Sequence, residues 1–185
     1  VRSSWSKVAE FPALKVVALQ ADRKGNLYVG TGTPHSAEVP TKGQATVWKI
    51  DRAGRQKQLR LFPRHDMAYS MAWYGGKLHV GLAAEDLPGR AAIWRFDDPG
   101  WTQVASSGVN RWPAQNIYAG IYELWVHDGR LLAGTFSRTK GHGDVLELTL
   151  QGWKDLGAPP SIIALSFARY QQSLIGAFSN SGAHL

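Results

Sequence analysis

The chain has 185 residues, 44% of them hydrophobic and 19% charged, with a net charge of +7, 20 glycines, 8 tryptophans and no cysteine. Those proportions suit an ordinary globular chain with a sizeable core, and the glycine and aromatic content favours an all-β fold. Disulfides and thiolate metal sites are excluded, and no apolar run approaches the ~18 residues of a membrane-spanning helix.

In chain order, Trp5-Ser6-Lys7-Val8 matches an outer strand that recurs later, so residues 1–14 read as the last strand of a preceding or closing unit. Residues 15–66 hold an alternating strand at 17–21, a turn at 22–26, a second strand Leu27-Tyr28-Val29-Gly30-Thr31, a third at 46–50 and a fourth at 56–59. Residues 67–120 repeat this order. Strands at 70–73, 78–82, 92–96 and 101–104 are separated by Gly75-Gly76, a variable loop and Asp98-Pro99-Gly100. Residues 121–160 do so again, with strands at 123–126, 131–135, 145–148 and 153–156 and the turns Asp128-Gly129 and Gln151-Gly152. Residues 161–185 begin a fourth copy, with strands at 164–167 and 174–178, and Gly182-Ala183-His184-Leu185 lines up with the start of a third strand. Asp-Gly and Gly-Gly supply the positive φ angles that tight hairpins need.

The second strands start at Leu27, Leu78, Leu131 and Leu174, spaced 51, 53 and 43 residues apart. A strand-rich repeat of that length predicts β-propeller blades of four antiparallel strands, about three and a half of them here, as part of a larger propeller. Closure on residues 5–8, or completion by another chain, is the alternative. The small residues Gly30, Gly81, Gly134 and Ala177 predict places where neighbouring backbones approach closely. Trp5, Trp48, Trp94, Trp101 and Trp153 recur at equivalent places and are expected to be structural, as are Trp73 and Trp125.

Residues 22–31 resemble the aspartate, glycine, leucine, aromatic, glycine, threonine run of NHL-like and sensor-regulator propellers. The Gly-Trp before the outer strand is similar to lectin-type propellers. The kelch and WD patterns are not matched, and Asp98-Pro99-Gly100-Trp101 lacks the flanking residues of a sialidase Asp-box. The resemblance implies that ligands meet the face formed by loops 32–44, 62–67, 83–90, 106–120, 137–143, 157–161 and 179–182.

On those loops, Asn110-Arg111-Trp112-Pro113-Ala114-Gln115-Asn116 stands out, because Trp112 falls outside the repeating tryptophan positions. An exposed Trp beside Arg and Asn suits stacking on a sugar ring or a protein hot spot; a Trp folded onto the scaffold is the alternative. Arg64, Arg90, Arg111, Arg138 and Lys140 are placed to receive an anion such as an acidic glycan. His35, His65 and His142 share no equivalent position and no ligand motif. His35 is kept as a ligand-binding candidate, and neither a metal site nor a cofactor is expected.

Two acids break the repeat. Glu123 replaces small residues of the first strand, and Glu147 replaces the tryptophans of the third. Paired carboxylates could hydrolyse a glycosidic bond. The alternative is an Arg partner for Glu123 and outward solvation for Glu147. The basic run Lys49, Arg52, Arg55, Lys57, Arg60 and Arg64 reads as either a polyanion stripe or a charged edge strand. The edge reading is preferred, and no nucleic-acid partner is expected. No Ser elbow, Walker loop or dinucleotide fingerprint occurs.

The expected function is a binding module that presents loops to a glycan or protein partner. The alternatives are a carbohydrate-active enzyme with part of its site on further blades, and a structural subunit of a larger assembly. The compartment stays open, with an extracellular or periplasmic setting favoured.

Overall fold

The computed structural model describes residues 4–13, 15–33, 44–84, 90–106, 109–110, 112–113, 117–138 and 143–180. The described residues hold no helix. Among the described residues fourteen antiparallel strands join in one open sheet.

The strands pair in chain order as meanders. The first contains β1 (Lys15–Ala21), β2 (Leu27–Gly32), β3 (Ala45–Ile50) and β4 (Gln56–Phe62). The second contains β5 (Met67–Tyr74), β6 (Lys77–Ala83), β7 (Ala92–Phe96) and β8 (Trp101–Ala105). The third contains β9 (Tyr118–His127), β10 (Arg130–Ser137), β11 (Val145–Thr149) and β12 (Gly152–Asp155). The hairpin of β13 (Ile163–Tyr170) and β14 (Ser173–Ser179) ends the series. Each meander joins the next through one pairing: Gly32 with Met67, Ala83 with Gly120, and Phe136 with Ile163.

Local chemistry explains the turns. Asp22 Oδ1 accepts hydrogen bonds from the backbone N–H of Lys24 and Asn26, both at 2.8 Å, and so closes the first hairpin. Asp51 does the same for Ala53 and Arg55. Both residues of Gly75-Gly76 and of Asp128-Gly129 take positive φ, as their composition predicts. Gln171 takes φ 54° in the turn that has no glycine.

The sequence does not reveal a bulge that recurs in every first strand. Register skips one residue between Val16 and Ala18, Ala68 and Ser70, Ile121 and Glu123, and Ala164 and Ser166. The extra residues are Val17, Tyr69, Tyr122 and Leu165. A bulge bends its strand and re-aims one side chain. Tyr69 and Tyr122 thereby stack across adjacent meanders, with centroids 4.3 Å apart. The register also makes Ser166, rather than Ala164, the counterpart of Glu123.

The core lies between successive meanders rather than within one. Tyr28 and Val47 of the first pack with Leu78 and Val80 of the second. Ala72 and Ile93 of the second pack with Ile121, Leu131 and Leu146 of the third. Leu132 and Val145 of the third pack with Ala164 and Phe167. Strand faces that bury alternate residues on both sides explain the apolar second strands.

The segment at 5–8 differs from expectation. Residues 4–10 form no strand, and Trp5 is fully exposed rather than structural. No neighbouring strand is paired with this segment to satisfy its backbone, so the recurring pattern alone does not create an element there. The other repeat tryptophans are buried or half-buried, as expected.

Candidate functional site

The described surface contains a cavity of about 350 Å³ where the β4–β5 connection meets the outer half of the second meander. Arg64 and His65 come from that connection. Arg90, Ala91, Ala92 and Trp94 come from the entry to β7 and from β7 itself, and Gln103 and Ser106 from β8 and just beyond it. The antiparallel β7–β8 pair sets Trp94 opposite Gln103, so both project from the same face.

The two connections are tied together at the rim. The ring Nε2 of His65 lies 3.0 Å from the backbone carbonyl of Arg90. Burial holds the imidazole at about 4, and the adjacent Arg90 and Arg64 charges act in the same direction against the bond to the Arg90 carbonyl. His65 is therefore neutral at pH 7 and donates that hydrogen bond, provided Nε2 carries its proton.

Behind the cavity wall, the Arg60 guanidinium lies 4.3 Å from the Trp94 ring centroid and 5.1 Å from that of Phe62. Its Nε is shielded from solvent without an acceptor, and desolvation lowers its ionisation from the ordinary value. Among the described residues no carboxylate pairs with Arg60, Arg64 or Arg90. The basic run thus divides. Lys57 is exposed on β4, which ends the strand order, and Arg55 pairs with Asp51 at 2.6 Å. Arg60 and Arg64 turn towards the second meander.

The sequence candidates separate accordingly. Arg90 belongs to the cavity. Arg138 follows β10 on the third meander and is not among the residues that line it. Arg111, Asn116 and His35 lie outside the described residues. Asn110 is a structural corner: it takes φ 52°, its Nδ2 donates to the Val104 carbonyl at 2.7 Å, and its own carbonyl accepts from Trp153 N.

Trp112 requires a correction. It is not an exposed stacking platform but is 5% exposed within the core between the second and third meanders. Its ring meets Tyr118 and Trp153 edge-on at 5.5 and 5.8 Å. Trp112 turns inward because burying an indole between two other aromatic rings is far more favourable than leaving it in water.

The two acids also depart from expectation. Glu147 is not solvated outward; its side chain is 16% exposed and lies 3.8 Å from Arg130. Glu123 has no Arg partner and no hydrogen bond among the described residues, and burial alone raises its carboxyl to about 7. Glu123 sits opposite Gly134 and Glu147 opposite Leu132, on strands either side of β10. That places their Cα atoms on the order of 12 Å apart. No charge from Glu147 acts on Glu123, so the two do not form a coupled carboxylate pair.

Glu123 has a consequence for stability. Below about pH 4.5 its carboxyl is protonated in both folded and unfolded chains. As pH rises towards 7 the unfolded chain ionises first, so folded stability falls and then levels. Glu123→Gln is expected to gain about 1–2 kcal/mol at pH 8, after allowance for partial exposure, and almost nothing at pH 4. Urea midpoints at the two pH values measure this; an equal shift at both refutes it. His65 and His79, both held near 4 by burial, act in the opposite sense and remove stability as pH falls from 6.5. That acid limb should survive in Glu123→Gln.

The chain matches no family model and no curated protein.

Proposed function

We propose that this chain is a binding module whose meanders are propeller blades, and that it presents the connections on one face to a glycan or protein partner. The cavity lined by Arg64, His65, Arg90, Trp94 and Gln103 is the observation that carries this reading. Its volume falls in the ~300–1,000 Å³ range of small-ligand sites. Its lining combines charged and hydrogen-bonding groups with an apolar wall, on connections held by rigid strands. These dimensions favour a saccharide unit over a broad protein surface.

The propeller reading is supported by a relation repeated three times. Each meander meets the next through the same bulged first strand, the same small residue and the same single bridging pair. One relation applied repeatedly generates rotation about an axis, as in propellers. The enzymatic alternative has less support, because among the described residues no second carboxylate acts on Glu123.

The test is a saccharide and peptide array probed with the whole chain, followed by NMR mapping of the ligand that binds. Shifts centred on Arg64, Arg90, Trp94 and Gln103 are expected. Binding mapped to another face, or no binding to any class, overturns the reading.

A further inference from the structure

We propose that the cavity between the β4–β5 connection and the outer half of the second meander recognises the acidic group of an anionic saccharide, held by Arg64 and Arg90. The inference rests on the binding reading above and names the chemistry of its ligand.

Charge is the first ground. Arg64 and Arg90 are carried by different connections yet line one concavity, and neither has a carboxylate partner among the described residues. Most surfaces intersperse the two signs. Cations gathered in a concave, partly apolar site focus positive potential there and attract anions. Arg60 adds to it from behind Trp94, because its guanidinium is fixed against the indole with a shielded, unsatisfied Nε. A desolvated cation of this kind is costly without a nearby negative charge. An anion in the cavity would offset that cost for Arg60 and pair directly with the exposed Arg64 and Arg90.

Preorganisation is the second ground. The bond from His65 to the Arg90 carbonyl joins the two connections that carry the arginines. Because burial keeps His65 neutral at pH 7, the clasp serves as a hydrogen bond and not as another cation. Holding two guanidinium-bearing segments at a set separation reduces the ordering cost of binding. Planar guanidinium groups suit carboxylate and sulfate oxygens alike.

The third ground is the rest of the lining. A bare anion needs only charge, whereas Trp94 and Gln103, projecting side by side from β7 and β8, offer an apolar edge and an amide. Sugars present C–H faces and hydroxyls together, which match such a pair. Carboxylate and sulfate ester are the two sources of the shared anionic chemistry.

The experiment is calorimetric titration of the whole chain at pH 7 and constant ionic strength with four probes: glucuronic acid, glucose 6-sulfate, glucose and sodium sulfate. Either acidic sugar should bind at least about 10-fold more tightly than glucose. Arg64→Ala and Arg90→Ala should each weaken it by about 10- to 100-fold, the range of hydrogen bonds to charged groups. Lys57→Ala, an exposed cation elsewhere on β4, should leave it unchanged. Preference for one acidic sugar identifies the anion. Equal affinity for glucose overturns the acidic-group inference while the binding module stands. Sodium sulfate binding as tightly as the acidic sugars overturns the saccharide part. Absence of binding by all four probes overturns the inference; failure on the wider array as well overturns the binding module.

Discussion

Trp112→Ala is expected to cost about 3–5 kcal/mol of folding stability, the range for truncating a buried large aromatic. The indole lies between Tyr118 and Trp153, and the three form an aromatic cluster that spans two meanders. Its loss opens a cavity that strands of a continuous sheet cannot readily collapse to fill. Tyr118 is itself fully buried, and its hydroxyl donates to Asp144 Oδ2 at 2.7 Å. A cavity beside Tyr118 loosens that bond as well. Trp112→Phe keeps most of the volume and should lose much less. Urea denaturation of both variants measures the effect. If Trp112→Ala shifts stability by less than about 1 kcal/mol yet abolishes ligand binding, the residue is a surface contact after all.

The contrast between Trp112 and the strands shows what the sequence reveals and what it hides. Strand order, turn positions and the hydrophobic alternation were legible because they depend on local chemistry. Gly75-Gly76 and Asp128-Gly129 carry their positive φ angles in their composition, and alternation distinguishes strand faces. The bulges at Val17, Tyr69, Tyr122 and Leu165 were not legible, since a one-residue skip leaves the apolar pattern almost unchanged. The large-then-small pairs Tyr69-Ser70 and Leu165-Ser166 are the trace they leave, and Glu123 after Tyr122 breaks it. Trp112 misleads in the sequence because a residue outside the repeat positions can still lie inside the core. Tertiary packing recruits loop residues that no periodicity marks. The cavity is half visible in the sequence, because Arg64 and Arg90 both stand on connections of the presumed ligand face. The pairing of Trp94 with Gln103 depends on the bulged register of β7 and β8, and the placement of Arg60 over Trp94 depends on how two meanders meet. Neither is encoded within one strand.

Gly30→Ala and Gly134→Ala test the contact between meanders directly, and each should cost about 1–3 kcal/mol, with valine costing more. A Cβ at Gly30 would stand 2.4 Å from the Ala68 carbonyl oxygen, and one at Gly134 would stand 2.5 Å from that of Ala164. Both obstacles are backbone atoms of the next first strand, so a side chain cannot rotate away to relieve them. Gly81 differs: its Cβ would meet the Ser70 Oγ at 2.4 Å and Ile121 Cγ2 at 2.7 Å, which can rotate, and Ile121 Cβ at 2.9 Å, which cannot, so Gly81→Ala gives a comparison in which the obstacles yield only in part. Gly100→Ala is the control, because its Cβ would meet nothing within 4 Å. The expected order of loss is Gly30 and Gly134 largest, Gly81 next and Gly100 least. Hydrogen exchange adds a spatial check. In Gly134→Ala, protection should fall first in β13 and β14, which are held to the rest through this approach and the Phe136–Ile163 pairing. The first meander should keep its protection, because interactions between neighbouring repeats are local and do not carry strain across the whole series. Equal loss at Gly100 and Gly134, or uniform loss of protection along the chain, would mean that the small residues answer to strand formation and not to the approach of one meander on the next.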